Sequence, residues 1–244
     1  MTTSVIIQAR LNSSRLPQKV LLPAPDGTPL LAVQIERVKR TQLVDQIILA
    51  TTTNPEDDAL EALADECEVA CFRGSENDVL ERYARCAAQH KIDTIVRLTG
   101  DCVFVDWTVI DHLVAKVQST FWDYAKTHES YPEGLDVEVF TRTALKLAQQ
   151  GARTAFDREH VTPWVRRETS AIYEMKHNPH LGHIRLSLDY ECDYVVIFDV
   201  LERLGPFATL ADIEDLYQKH PELWAPNLNV PRNEWLKGEQ GIPA

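Results

Sequence analysis

Ile6-Ile7-Gln8-Ala9-Arg10-Leu11-Asn12-Ser13-Ser14-Arg15-Leu16-Pro17-Gln18-Lys19-Val20-Leu21-Leu22 sets three cations, Arg10, Arg15 and Lys19, and two hydroxyls, Ser13 and Ser14, directly behind an apolar run near the amino terminus. That run, Val5 to Ala9, reads as a first β-strand. Ligands of open α/β sheets bind beyond the carboxyl ends of the strands, so a polar, cationic loop after the first strand stands where a nucleotide triphosphate is held. Guanidinium forks supply bidentate contacts to phosphate oxygens, and an ammonium supplies a point charge. A solvated basic turn is the plain alternative. Three cations within ten residues of an acidic protein weigh against it.

Outward from this loop, apolar runs alternate with amphipathic segments: Leu30 to Arg40, Gln46 to Thr52, Glu56 to Glu66, Val69 to Phe72, Asp78 to His90 and Thr94 to Leu98. This βαβα rhythm predicts a mostly parallel central sheet flanked by helices on both faces. Asn54 before Pro55, Glu56 and Asp57 reads as a helix start, as does Asn77-Asp78. The second half is less regular. Helices are expected at Trp107 to Gln118, between Thr141 and Gly151, and at Asp157 to Glu168, Cys192 to Leu204 and Leu210 to His220. Strands are expected near Asp123 to Lys126, Val137 to Phe140 and Arg185 to Leu188. Residues 1–220 then form one domain. Residues 221–244, with four prolines and two tryptophans, read as an irregular tail packed through Trp224 and Trp235 on the body or on a partner subunit.

A chain of 244 residues can bury a substantial core. Its formal charge of −12 argues against a nucleic-acid backbone as main partner, because neutralising phosphates needs a basic face. No segment approaches the roughly 18 uninterrupted apolar residues of a membrane span, and no basic leader with an apolar run opens the chain. No membrane partner and a cytoplasmic location are the expectation. The five cysteines, Cys67, Cys71, Cys86, Cys102 and Cys192, fit neither a disulfide framework nor a zinc ribbon. His177, His180 and His183 lie in a Pro- and Gly-containing loop and read as loop residues rather than a metal site.

Thr99-Gly100-Asp101-Cys102 follows the strand ending at Leu98, which sets Asp101 at the carboxyl edge of the sheet on the side of the cationic loop. Asp189 repeats the arrangement, closing a short apolar segment just before a helix. Asp106 and Asp193 read first as residues of helix starts. Arg73 and Gly74 sit on a loop after a strand, where backbone can approach a base closely. Arg82 is four residues from Asp78 on one helical face, so an intrahelical ion pair is its alternative reading. Asp136 and Glu138 share one side of a strand. With Arg158 and His160 they could bind an anionic ligand and take its hydroxyl hydrogens, or form a structural ion-pair network among themselves.

The pattern Ala9-Arg10, Ser13, Arg15, Pro17, Lys19 resembles the nucleotide-binding signature of sugar nucleotidyltransferases. It is most similar to cytidylyltransferases of the CMP-KDO and CMP-sialic acid synthetase type, in the spore-coat polysaccharide branch. Phe72 to Tyr83, Tyr131 to Val139 and Arg158 to Pro163 resemble later segments of that branch, in order. Two departures stand out, Asn12 at a position usually small and Val103 where proline is usual. The resemblance implies a Rossmann-like nucleotide-diphospho-sugar transferase fold, a homodimer, CTP and a small acidic or phosphorylated acceptor as partners, and Mg²⁺ as cofactor. It implies a metal held by Asp101 and Asp189. Ala9, Arg10, Ser13, Arg15, Lys19, Arg73, Gly74, Arg82 and Thr99 would surround the nucleotide, and Asp136, Glu138, Arg158 and His160 the acceptor. A glycosyltransferase using a nucleotide-sugar donor and a catalytically silent nucleotide-binding protein are the rival readings.

Overall fold

The structure, a computed structural model, describes residues 1–119 and 121–232. Seven strands form one sheet: β1 (Thr3–Gln8), β2 (Gln46–Thr52), β3 (Ala70–Gly74), β4 (Thr94–Thr99), β5 (Tyr124–Thr127), β6 (Glu138–Thr141) and β7 (Ile172–Met175). Their order is β3-β2-β1-β4-β6-β5-β7. The β1–β2, β2–β3, β1–β4 and β5–β7 pairs are parallel, while β6 runs antiparallel to both neighbours. Strand order reverses between β1 and β4, and the crevice at the carboxyl end of such a switch point is where this fold class holds ligands.

Nine α-helices connect and cover the strands among the described residues: α1 (Leu30–Val38), α2 (Asp58–Glu66), α3 (Val79–Gln89), α4 (Trp107–Gln118), α5 (Arg142–Gly151), α6 (Ala155–His160), α7 (Pro163–Glu168), α8 (Glu191–Leu204) and α9 (Leu210–Lys219). Alternation along the strands divides the core in two. Val5, Ile7, Val96 and Leu98 face α1, α4 and α8, whereas Ile6 and Ile95 face α3 and α5. Helix starts follow their side-chain chemistry: Asp78, Asp106 and Thr141 each accept a backbone N–H of the first turn.

The local structure departs from the expected elements in four places. The helix expected over Asp157–Glu168 is broken into α6 and α7, with Val161 at φ +70° between them. Pro163, at the start of α7, lacks the N–H that would continue the helix. Arg185–Leu188 is no sheet strand; it forms a single bridge, Arg185 with Glu133. Conversely, β7 was not expected from the sequence, because its Ile-Tyr-Glu-Met run is short and half-buried. The tail begins with a 3₁₀ segment, Pro221–Asn227, which buries Trp224 against Tyr217. Trp224 is thus spent on the body rather than offered to a partner. Trp235 lies outside the described residues.

Candidate active site

Register between β1 and β4 pairs Gln8 with Thr99, so the two loops that follow leave the sheet side by side. Gly100 N–H donates to the Gln8 carbonyl at 2.9 Å. The cationic loop is pinned from below by Asp57, buried, whose carboxylate accepts the Leu11 N–H at 2.8 Å and the Thr52 hydroxyl. The loop folds back where Gln18 takes φ +56° and donates its N–H to the Leu11 carbonyl at 3.0 Å. The left-handed residue is therefore Gln18, and Asn12 has no positive φ. That removes the backbone reason for a small residue at Asn12.

The turn delivers Lys19 between two carboxylates. Its Nζ lies 2.9 Å from Asp101 Oδ2 and 2.9 Å from Asp189 Oδ1, and Arg15 donates to the same Asp189 oxygen at 2.5 Å. Burial alone would push the Asp101 carboxyl up; the Lys19 ammonium and the Thr99 hydroxyl outweigh it and hold the group at about 2. Lys19 responds in kind. Burial disfavours its charge, and the two carboxylates more than compensate, so it stays an ammonium at neutral pH.

Asp189 owes its place to a buried charge cluster. Arg185 donates to Glu133 at 2.6 Å, to Asp189 Oδ2 at 3.0 Å and to Asp193 at 2.8 and 3.1 Å. Asp193, fully buried, also accepts the backbone N–H groups of Asp189 and Tyr190 and an Asn227 amide hydrogen. It is a helix-start residue occupied on all sides, leaving Asp189 as the carboxylate turned to Lys19. Leu188 N–H donates to the Asp101 carbonyl at 3.0 Å, which fixes one acid against the other.

Beside this cluster opens a cavity of about 500 Å³, within the range of small-molecule sites. Among the expected residues, Arg15, Thr99, Asp101, Asp136, Glu138, His160 and Asp189 line it. Gln8, Arg97, Lys126, Arg166 and Arg232 line it as well. The sequence reading missed these five, although a lone arginine inside the apolar strand Val96-Arg97-Leu98 was a readable signal.

Other expected residues are engaged elsewhere. Glu138 was expected to accept acceptor hydroxyl hydrogens; its oxygens instead take Arg97, Arg166 at 2.5 Å, Tyr124 and Thr162 at 2.8 Å. Its acceptor capacity is spent aiming two arginines at the cavity. Arg158, expected to clamp the acceptor, lies off the cavity lining with its Nε 2.6 Å from Asp78 Oδ2. This also removes the Asp78–Arg82 pair. Arg73 donates to Thr52 and Asn54 carbonyls and to Asp58 and Glu61, tying β3 to the start of α2. Arg82 is buried against Gly74; it donates to the Ser75 carbonyl at 3.0 Å, while its Nε has no partner. Arg10 reaches Glu76 at 3.3 Å and remains well exposed, and Ser13 Oγ faces the Leu16 N–H at 3.5 Å. Burial lowers the His160 pKa, so its ring is neutral at pH 7.

Among the described residues no group of three or more His, Cys, Asp or Glu side chains could hold a metal by itself. Two carboxylates whose oxygens touch the same ammonium do suit Mg²⁺, which commonly takes one or two protein carboxylates and completes its shell with substrate phosphates and water. The donor set therefore fits an ion shared with a polyphosphate.

A family model described as cytidylyltransferase matches residues 4–226. An uncharacterized protein of Methanocaldococcus jannaschii is 33% identical over 240 residues, covering 96% of this chain and 98% of its own length. The spore coat polysaccharide biosynthesis protein SpsF of Bacillus subtilis is 31% identical over 229 residues, covering 89% and 94%. Among solved structures, a cytidylyltransferase from Leptospira borgpetersenii superposes with a TM-score of 0.87 at 30% identity, covering 91% of this chain and 96% of that one.

Proposed function

We propose the following reaction for this chain, which belongs to the cytidylyltransferase family: it transfers the cytidylyl group of CTP to a small acidic or phosphorylated sugar-like acceptor and releases pyrophosphate. The observation that carries this reading is the convergence of Arg15 and Lys19 with Asp101 and Asp189, of which Arg15 and the two carboxylates line the cavity. A glycosyltransferase acting on a nucleoside diphosphate-sugar has less phosphate charge to neutralise and no need of such a loop.

In the proposed reaction an acceptor oxygen forms the new bond to the α-phosphorus while the bond to the bridging oxygen of pyrophosphate breaks. Mg²⁺ held by Asp101 and Asp189 would screen the charge between the nucleophile and the α-phosphate. Lys19, Arg15 and the exposed Arg10 stabilise negative charge on the triphosphate and the leaving pyrophosphate, where charge develops. Ala9, Ser13, Thr99, Gly74 and Arg82 line the approach to the nucleotide. Arg82 is buried with an Nε–H that has no partner. Asp136, His160, Arg97 and Arg166 face the acceptor, the two arginines offering positive charge to its acidic group.

Surface polysaccharide or glycoconjugate synthesis in the cytoplasm, where CTP is made, is the proposed setting. No helix among the described residues is long and apolar enough to cross a membrane. The test is pyrophosphate release from CTP and Mg²⁺ across a panel of 2-keto sugar acids, other sugar acids, and phosphorylated or phosphonate compounds. Release with one class and none without acceptor supports the reading. Silence across the panel, with CTP bound, sinks it.

A further inference from the structure

We propose that Lys19 is the internal counter-ion of the Asp101–Asp189 pair, so that a divalent cation gains these carboxylates only when a polyphosphate draws the ammonium away. The inference rests on the reading of this pair as the metal-holding carboxylates. Lys19 is the group placed to make the exchange. Its side chain is only 11% exposed, and it contacts both acids at the same 2.9 Å. A divalent ion on these oxygens would stand a few ångströms from the ammonium, and its double charge would repel it more strongly than Arg15 does on the shared Asp189 Oδ1.

The other cations on the pair differ in how firmly they are held. Arg185, on Asp189 Oδ2, is only 8% exposed and is also bound to Glu133 and Asp193 inside the cluster. Arg15 is 42% exposed and rests on the Tyr190 ring, 5.4 Å from its centroid. The detachable charges are thus those carried by the cationic loop. Lysine suits the exchange because its ammonium rides on a flexible four-carbon stem with three rotatable donors. The same loop offers these cations to a triphosphate, so one movement satisfies the phosphates and vacates the carboxylates. Reciprocity then requires that the polyphosphate and the metal raise each other's affinity by the same factor. CMP, lacking the β- and γ-phosphates, should not release the pair.

The test is Mn²⁺ binding to the full-length, nucleotide-free protein, followed by electron paramagnetic resonance of the free ion. It compares wild type, Lys19→Gln, Lys19→Met, Lys19→Arg and the double variant Lys19→Gln/Asp101→Asn. Thermal melts establish that each variant is folded, and two neutral replacements guard against the failure of one. Lys19→Gln and Lys19→Met should bind Mn²⁺ about tenfold tighter than wild type, or more. Lys19→Arg should stay near wild type, and Asp101→Asn should abolish the gain. Neutral variants that bind no tighter than wild type, while Mn²⁺ binding still depends on Asp101, would overturn the counter-ion role and leave the metal assignment standing. Tightening in Lys19→Arg as well would overturn it too, since charge would not be the cause. Binding indifferent to Asp101 in every variant would remove the metal pair itself, and the inference with it.

Discussion

Asp101→Asn should abolish turnover and leave CTP binding in EDTA nearly unchanged, because a carboxylate that holds the metal acts in the transition state rather than in the grip on the base. Steady-state kinetics beside calorimetric CTP binding checks this. Arg158→Ala should do little: its pair with Asp78 is more than a quarter exposed on both sides, and such pairs contribute about 1 kcal/mol or less. An unchanged Michaelis constant for the acceptor would support that account, and a large rise would return Arg158 to the acceptor site. Sequence and structure part company at this scale for a physical reason. Lys19 and Asp101 could be brought together from the sequence because their loops follow sheet strands, so the sheet edge collects them, whereas Asp189 was legible only as an acid closing an apolar segment and is placed by the Arg185 cluster. Glu138 could not be read, because its partners Arg97 and Arg166 come from an antiparallel neighbour and a broken helix, and no local pattern records those pairings.

Among elements, the antiparallel β4–β6 pair carries the side of the cavity proposed for the acceptor. Arg97 stands opposite Glu138 in its register. Burial would raise the Glu138 pKa, but Arg166 and Arg97 outweigh it and hold the carboxylate below its usual 4.5. A depressed acid pKa contributes stability that is present above about 4.5 and is lost as pH falls through the folded value. Glu138→Gln should therefore cost about 3 kcal/mol at pH 7, leaving two arginines short of their counter-charge, and should flatten the acid limb of the stability profile. Urea unfolding at a series of pH values measures both effects. Gly134 is the second element-scale test. At φ +97° a Cβ there would meet the Leu186 backbone at 2.3 Å, which would part Glu133 from Arg185. Gly134→Ala should lower the melting temperature and, by loosening Arg185, depress turnover more than CTP binding.

For the whole molecule, the alternating first hundred residues specify the parallel half of the sheet, and β1 to β4 follow that rhythm. In the far half β5 and β6 lie within one residue of the expected strands, while β7 was missed and Arg185–Leu188 misread, because such short segments joined by long-range pairing leave little local pattern. A homodimer remains a proposal from family resemblance, without Trp224 as an interface residue. Sedimentation at micromolar concentration should show twice the chain mass, and a monomer would contradict it. The most direct test of the central claim follows the α-phosphate. With CTP labelled there, Mg²⁺ and the acceptor found in the panel, wild type should move the label onto the acceptor and release unlabelled pyrophosphate, while Asp101→Asn transfers none. Label recovered only as free CMP or CDP, or transfer undiminished in Asp101→Asn, would contradict it.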